Sequence, residues 1–451
     1  MSDNSAVVMD NGSGFSKIGI ATKENPKLIS FPTLVGQHRS DFFLHGSDSK
    51  FYIGHDAINK KGELTFFNPV QNGLIEDWDY MYRVWQYSFN YELKVDPQEH
   101  PVLLTEHPTN TKDKRQKTIE IFFEKFKVPV FFLANQSVLA LYALGKTTGL
   151  VLDVGEDCST ATAVYKGYSI KSSTVQSKIG GKMLTEYIKQ SFGKEKILLK
   201  YKAFREVIQE IKEKHCYLPD PYQDFSKNQV NSSRFPSKKE VNPSQLSSEN
   251  KEDSFHETFK IKVQRNEENS LVLPDGQQLN LHKLSESVPS LLFNYQSSMF
   301  PSENRAQDLV FECLSKLDDD MIRRLSTQIA VTGGSSRFLN FKKTLKLKLS
   351  DRLKKHPFHF DFKIDLITPS NEHEKINLAN IKTMASQKVS YGSDETSKLK
   401  LSEAKIDHIP ANFLTWVGGS CLASRKLFQT EWIRQADWME EGPSIIHRYC
   451  L

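Results

Sequence analysis

Two stretches of the chain carry the same alternation of apolar and polar positions. Residues 6–20 read AVVMDNGSGFSKIGI, and residues 149–165 read GLVLDVGEDCSTATAVY. Each opens with a short apolar run, reaches an aspartate, turns through small residues and returns in an alternating stretch. That pattern predicts a β-hairpin with a glycine-bearing turn. Asp10 and Asp153 take the same place in the two copies. Helical spacing follows each hairpin, at about 79–93, 112–126 and 135–145 after the first and about 181–192 and 203–214 after the second. Two similar α/β halves, each offering an acidic turn, predict a cleft between them. A third loop, QIAVTGGSSRF at 328–338, reads as a strand, then Gly333-Gly334-Ser335, then a helix. Missing side chains there let a ligand come close to the backbone. Two polar stretches, 226–256 and 369–408, read as inserted surface loops.

Composition narrows the classes. A chain of 451 residues holds about three units at roughly 150 residues each. Hydrophobic residues at 38% and charged residues at 25% exclude wholesale disorder. Sixty Lys and Arg against 55 Asp and Glu leave a net charge of +5, too balanced for a dedicated nucleic-acid binder. Five scattered cysteines give neither a disulfide framework nor zinc spacing. No apolar run reaches the ~18 residues of a membrane span, and Met1–Asp10 lacks the apolar core of a leader. The expectation is a soluble, reduced, intracellular protein with no membrane insertion.

The turns suggest their own chemistry. In Asp10-Asn11-Gly12-Ser13-Gly14, small residues let backbone N–H groups curl around an anion. Ser13 adds a hydroxyl, and Lys17 can reach back with a positive charge. Asp10 suits a hydrated divalent cation, and Asp153 supplies the mirror carboxylate. Two turns closing on one polyphosphate would explain the duplication. A tight β-turn without a ligand explains either one alone.

The chain resembles actins and actin-related proteins. DNGSGFSKIGI (10–20), HPVLLTEHP (100–108), QSVLALYALGKTTGLVLD (136–153), IKEKHCYLPD (211–220), TGGSSRF (332–338), WVGGSCLAS (416–424) and EGPSIIHRYC (441–450) carry the resemblance in order and spacing. EDWD (76–79) and VWQY (84–87) lean toward the actin-related branch. The resemblance implies the actin-like ATPase fold: two duplicated α/β domains, in four subdomains, around a nucleotide cleft. Its first subdomain would be 1–31 with 69–143 and 414–451, and its second 32–68. The third would be 144–179 with 302–413, carrying the insert 369–408, and the fourth 180–301, carrying the insert 226–256.

The resemblance also implies roles. Asp10 and Asp153 would hold Mg²⁺ or Ca²⁺ through water, and Asn11, Gly12, Ser13, Gly14 and Lys17 would hold the phosphates of ATP or ADP. Gly155, Glu156 and Asp157 form the second phosphate turn, and Gln136 would position attacking water. Gly181, Lys182, Lys212 and Glu213 would flank the ribose and adenosine, and Gly333, Gly334, Ser335 and Phe338 the base. Several positions depart from the family. Val154 removes a hydroxyl, Asp157 replaces a glycine, Thr160 replaces a histidine that helps place the lytic water, and Asn412 replaces a lysine. A carboxylate at 157 about 5 Å from a phosphate would repel it by roughly 3 kcal/mol. The expectation is therefore at most a slow ATP hydrolase. It would be a structural subunit of a cytoskeletal multi-protein assembly, in the cytoplasm, beside other actin-family subunits. The alternatives are a nuclear actin-related subunit of a chromatin-remodelling or acetyltransferase complex, and a polymerising actin. Leu291, Leu292 and Phe293 form either an exposed plug between subunits or a buried loop, and the lysine-rich run from Lys342 to Lys355 reads as a solvated helix face.

Overall fold

The computed structural model describes residues 5–21, 27–38, 51–60, 62–194, 204–222, 270–272, 278–294, 303–355, 364–366 and 410–450. The two polar stretches at 226–256 and 369–408 lie outside the described residues.

The first half is built on a mixed sheet. Strand β1 (Val7–Asn11) pairs antiparallel with β2 (Phe15–Ile20), which pairs with β3 (Lys27–Pro32). On its other side β1 runs parallel to β4 (Val102–Glu106), and β4 to β5 (Val130–Asn135). The short strand Ile433–Arg434 closes the edge beside β5. The parallel strands are near-continuous apolar runs, as strands covered on both faces must be. Val7, Val8 and Met9 are fully buried.

The second half repeats the device. Strand β6 (Gly149–Val154) pairs antiparallel with β7 (Ser159–Tyr165) and parallel with β10 (Ile329–Thr332), while β7 also pairs with β8 (Tyr168–Ser169) and β9 (Val175–Ser177). In the first hairpin Asp10 lies opposite Lys17; in the second Asp153 lies opposite Thr160.

Helices α1 (Gln136–Ala143) and α3 (Leu414–Ala423) join the halves. Between them lies one apolar cluster that draws Val8 and Leu103 from the first sheet and Val151, Val164 and Ala330 from the second. Helix α3 is buried on almost every side, which a uniformly apolar helix requires. Gly418 lets the backbones touch, because a Cβ there would collide with the Leu139 carbonyl. The Trp416 indole N–H donates to the Val8 carbonyl at 3.0 Å, tying α3 to β1. A third helix of the site, α2, spans Gly181–Lys194.

Three helices end differently from the sequence pattern. The stretches 79–93, 112–126 and 203–214 form α-helices over Trp78–Tyr87, Lys112–Glu120 and Phe204–Glu210. Each then widens into a π-turn, at Ser88–Leu93, Ile121–Lys125 and Ile211–His215. Apolar spacing does not reveal that change of pitch. Leu291, Leu292 and Phe293 are buried, which decides for the packed loop over the exposed plug. The lysine-rich run forms the helix Phe341–Lys354, with Phe341, Leu345, Leu349 and Leu353 inward. Lys343, Lys346 and Arg352 pair with Asp220, Asp365 and Asp308, so the face is partly neutralised.

Candidate functional site

The two hairpin turns meet at the mouth between the halves. The Gly12 N–H donates to the Phe15 carbonyl at 3.1 Å, and the Gly155 N–H to the Cys158 carbonyl at 3.0 Å, so both turns close in the same way. They also touch. The Asp157 N–H donates to Ser13 Oγ at 3.3 Å, and a Cβ at Gly14 would stand 3.0 Å from that of Glu156. Asn68 Nδ2 donates to the Ser13 carbonyl at 2.5 Å from below the tip.

Asp10 is buried, and its charge is well met. Lys17 Nζ lies 2.8 Å from Oδ2, Thr105 Oγ1 donates to Oδ1 at 2.7 Å, and Gln136 Nε2 donates to the same oxygen at 3.0 Å. The sequence brings these together simply: Lys17 is the cross-strand partner, Thr105 is the penultimate residue of the parallel neighbour, and Gln136 begins α1. Asp153 lines the cleft, partly open on one side and enclosed by protein elsewhere. Burial pushes its carboxyl up to about 6, with Asp10 adding to the rise and Lys17 opposing it.

Asp157 has partners of its own in the fold. Its carboxylate accepts the Asn72 N–H at 3.3 Å and sits 3.5 Å from Lys182 Nζ. The tip of the hairpin formed by Val70–Gln71 and Leu74–Ile75 thus crosses from the first half onto the second turn. Gln176 Nε2 fastens the same tip through the Asn72 carbonyl at 3.0 Å. Glu156 instead turns toward α2. Lys212, almost wholly buried, reaches its Oε2 at 3.4 Å, the Gly181 carbonyl at 3.2 Å and Thr185 Oγ1 at 3.0 Å. Gly181 has no side chain because a Cβ would collide with that Glu156 oxygen.

The third loop docks on the second turn. Gly333 has φ +94°, and a Cβ there would collide with the Val154 carbonyl and the Asp153 carboxylate. Ser335 Oγ donates to the Gly155 carbonyl at 2.9 Å. Around Gly334 the space is open, and Phe338 packs half-buried against the second core. Asn412 is carried in by Thr332 Oγ1, which donates to the Ala411 carbonyl at 2.7 Å; its own Oδ1 is buried and unpartnered. Asn11 Nδ2 is a second buried, unpartnered polar atom in the site.

Asp10, Asn11, Gly12, Ser13, Gly14, Lys17, Gln136, Asp153, Gly155, Glu156 and Asp157 therefore converge, with Gly181, Lys212, Gly333 and Ser335 in contact. Glu213 does not join them: on its π-turn it faces solvent and bonds Gln209. Lys182 is largely exposed at the rim. Among the described residues, no three His, Cys, Asp or Glu side chains form a metal cage.

A family profile described as Actin matches residues 1–381 and 386–451. The chain belongs to the actin family. The duplicated sheets and the three glycine loops are the features of that membership that shape the cleft. Thr105, Asn72, Gln176 and His107 are site residues that the sequence left without a role. The signal available for Thr105 was its place at the end of an apolar run, the position from which Asp10 is also presented.

Proposed function

We propose that this actin-family chain binds ATP or ADP with Mg²⁺ or Ca²⁺ between its two hairpin turns and serves as a subunit of a cytoskeletal assembly. The observation that supports it best is the convergence of Asp10 and Asp153 on one cation, Lys17, which is bonded to Asp10 and acts on Asp153 through its charge alone. A hard cation held by one or two carboxylates, phosphate oxygens and water suits such a pair and needs no protein cage. The carboxylates would hold the ion's water shell. The turn amides, Ser13 and Lys17 would hold phosphate oxygens, with Asn11 behind them in the same turn. Lys212 and α2 would flank the sugar, and Gly333, Gly334, Ser335 and Phe338 the base. The ion's contribution is to neutralise polyphosphate charge. A ligand bound only to the folded chain stabilises it by about 4 kcal/mol at a thousand times its dissociation constant, enough to lock two halves even without turnover.

Thr160, with its short hydroxyl, supports slow hydrolysis. A cavity of about 460 Å³ where α1, α3 and β8 come together, lined by Phe132, Val138, Tyr142, Tyr168, Leu422 and Phe428, supports the subunit reading, since a neighbour's apolar side chains could fill it. Denaturing the purified chain and assaying the extract tests the ligand: ATP or ADP is expected, together with a thermal shift on adding ATP and Mg²⁺. Absence of both refutes the site. Co-purification of the tagged chain from cytoplasm with other actin-family subunits is expected; recovery in a nuclear chromatin complex would replace the cytoskeletal reading.

A further inference from the structure

Gln136 forms part of the wall of a small cavity. It measures about 30 Å³, and its polar lining includes Asn11, Thr105, Glu106, His107, Asn110 and Gln136. A water needs roughly 10–15 Å³ and two or more polar partners, so the space suits one or two waters. Asn11 Nδ2 is buried there without a partner, and a water would supply one.

His107 is the imidazole of this wall. It follows β4 in the first half, and its ring lies against Gly73; a Cβ at that glycine, which has φ +79°, would collide with the ring. The Thr109 N–H donates to His107 Nδ1 at 3.3 Å, and Thr109 Oγ1 lies 2.8 Å from the same atom. Nδ1 is therefore an acceptor, and the ring proton sits on Nε2. Burial lowers the pKa to about 4, so the ring stays neutral near pH 7. Nε2–H points toward Cys158 Sγ at 3.8 Å, a weak acceptor, in the second phosphate turn. A donor aimed across the cleft floor at a weak acceptor is available to a better one.

We propose that His107 is the positioning residue that orients water beside Gln136, from the opposite half to Thr160. This rests on the nucleotide reading of the cleft. In the hydrolytic step the water oxygen bonds to the terminal phosphorus. The bond to the bridging oxygen breaks and leaves its electron pair on the diphosphate, and the water proton passes to the released phosphate. His107 takes no proton. Its Nε2–H donates to the water or to a terminal phosphate oxygen, and Gln136 fixes the water from the other side.

The test uses the full chain. Single-turnover hydrolysis and ATP affinity are measured for His107→Ala, His107→Gln, and His107→Ala combined with Thr160→His. The expected result is a loss of tenfold or more in hydrolysis for His107→Ala, with affinity changed less than threefold. His107→Gln, which keeps a donor, and the added Thr160→His should each restore much of the rate. An independent readout is imidazole ¹⁵N NMR of the parent chain. The Nε2-protonated signal of His107 should shift with a non-hydrolysable triphosphate analogue and much less with ADP. Unchanged hydrolysis in both His107 variants, a parent chain that binds ATP without cleaving it, or an unmoved imidazole signal would each overturn the proposal. A parent chain that binds no ATP would instead refute the nucleotide reading itself.

Discussion

Replacing Asp153 by Asn should move stability and ligand retention in opposite directions. In the folded chain the Asp153 carboxyl is raised from its ordinary 3.8 to about 6, chiefly by burial and further by Asp10. A group whose folded pKa is raised binds its proton more tightly in the folded chain. Well below pH 3.8 both states are protonated and the group costs nothing. As pH rises from about 4 to 6 the unfolded chain ionises first, and stability falls until both states are ionised. A rise of that size corresponds to about 3 kcal/mol at pH 7. The open side of the cleft lets water screen the charge, so about 1–2 kcal/mol is the expected yield, ~1–2 °C in melting temperature for a chain of this size. Nucleotide-stripped Asp153→Asn should thus melt higher than the parent at pH 7, and by much less at pH 4. With ATP and Mg²⁺ the order should reverse, because the carboxylate needed by the ion is gone. Melting is followed by near-ultraviolet circular dichroism from pH 4 to 8. A nucleotide-free variant that is less stable than the parent at pH 7, or that keeps the parent's pH slope between 4 and 6, would refute the reasoning.

Two further predictions concern the frame that holds the site. Gly418→Ala should destabilise the chain by about 3 kcal/mol or more, because the added methyl meets the Leu139 backbone rather than a side chain that can turn away; chemical denaturation measures it, and a loss under 1 kcal/mol would contradict the contact. Arg115→Met should cost about 3–5 kcal/mol by removing the guanidinium 2.9 Å from the buried Glu106 carboxylate, leaving it Asn110 but no bonded cation. Adding Glu106→Gln should recover part of that loss, and no recovery would show that the contact of Arg115 with the Cys450 carbonyl matters more.

The sequence made the repeated hairpins legible because each is local: a strand, a turn and a return strand within some seventeen residues. The family membership was legible for the same reason, through short motifs in order. What local pattern could not show is how long-range neighbours change a side chain's meaning. Asp157, read alone, was a charge added beside a phosphate. In the fold it receives the Asn72 N–H, from a hairpin tip more than eighty residues earlier, and faces Lys182. Glu213 had the right motif, but the π-turn at Ile211–His215 keeps Lys212 inward and turns Glu213 out. Leu291 to Phe293 looked exposed because their partners, such as Phe341, lie far along the chain.

The duplication also explains where the cleft is incomplete. Both hairpins present an aspartate at the same register, yet the residue opposite differs: Lys17 faces Asp10, whereas Thr160 faces Asp153. The first aspartate gains a cation, a hydroxyl and an amide from three elements of its own half. The second lies beside β10 and against Gly333, positions that bring backbone close, and the cation that opposes its burial, Lys17, belongs to the first half and is bonded to Asp10. A buried carboxylate in that state costs stability until positive charge arrives. On the proposed reading, the asymmetry makes the second half the one that gains most from a bound cation, and the first the one that carries its own compensation. A cation shared between Asp10 and Asp153 would therefore contribute most of its binding energy on the second half, drawing it toward a first half whose charges are already set.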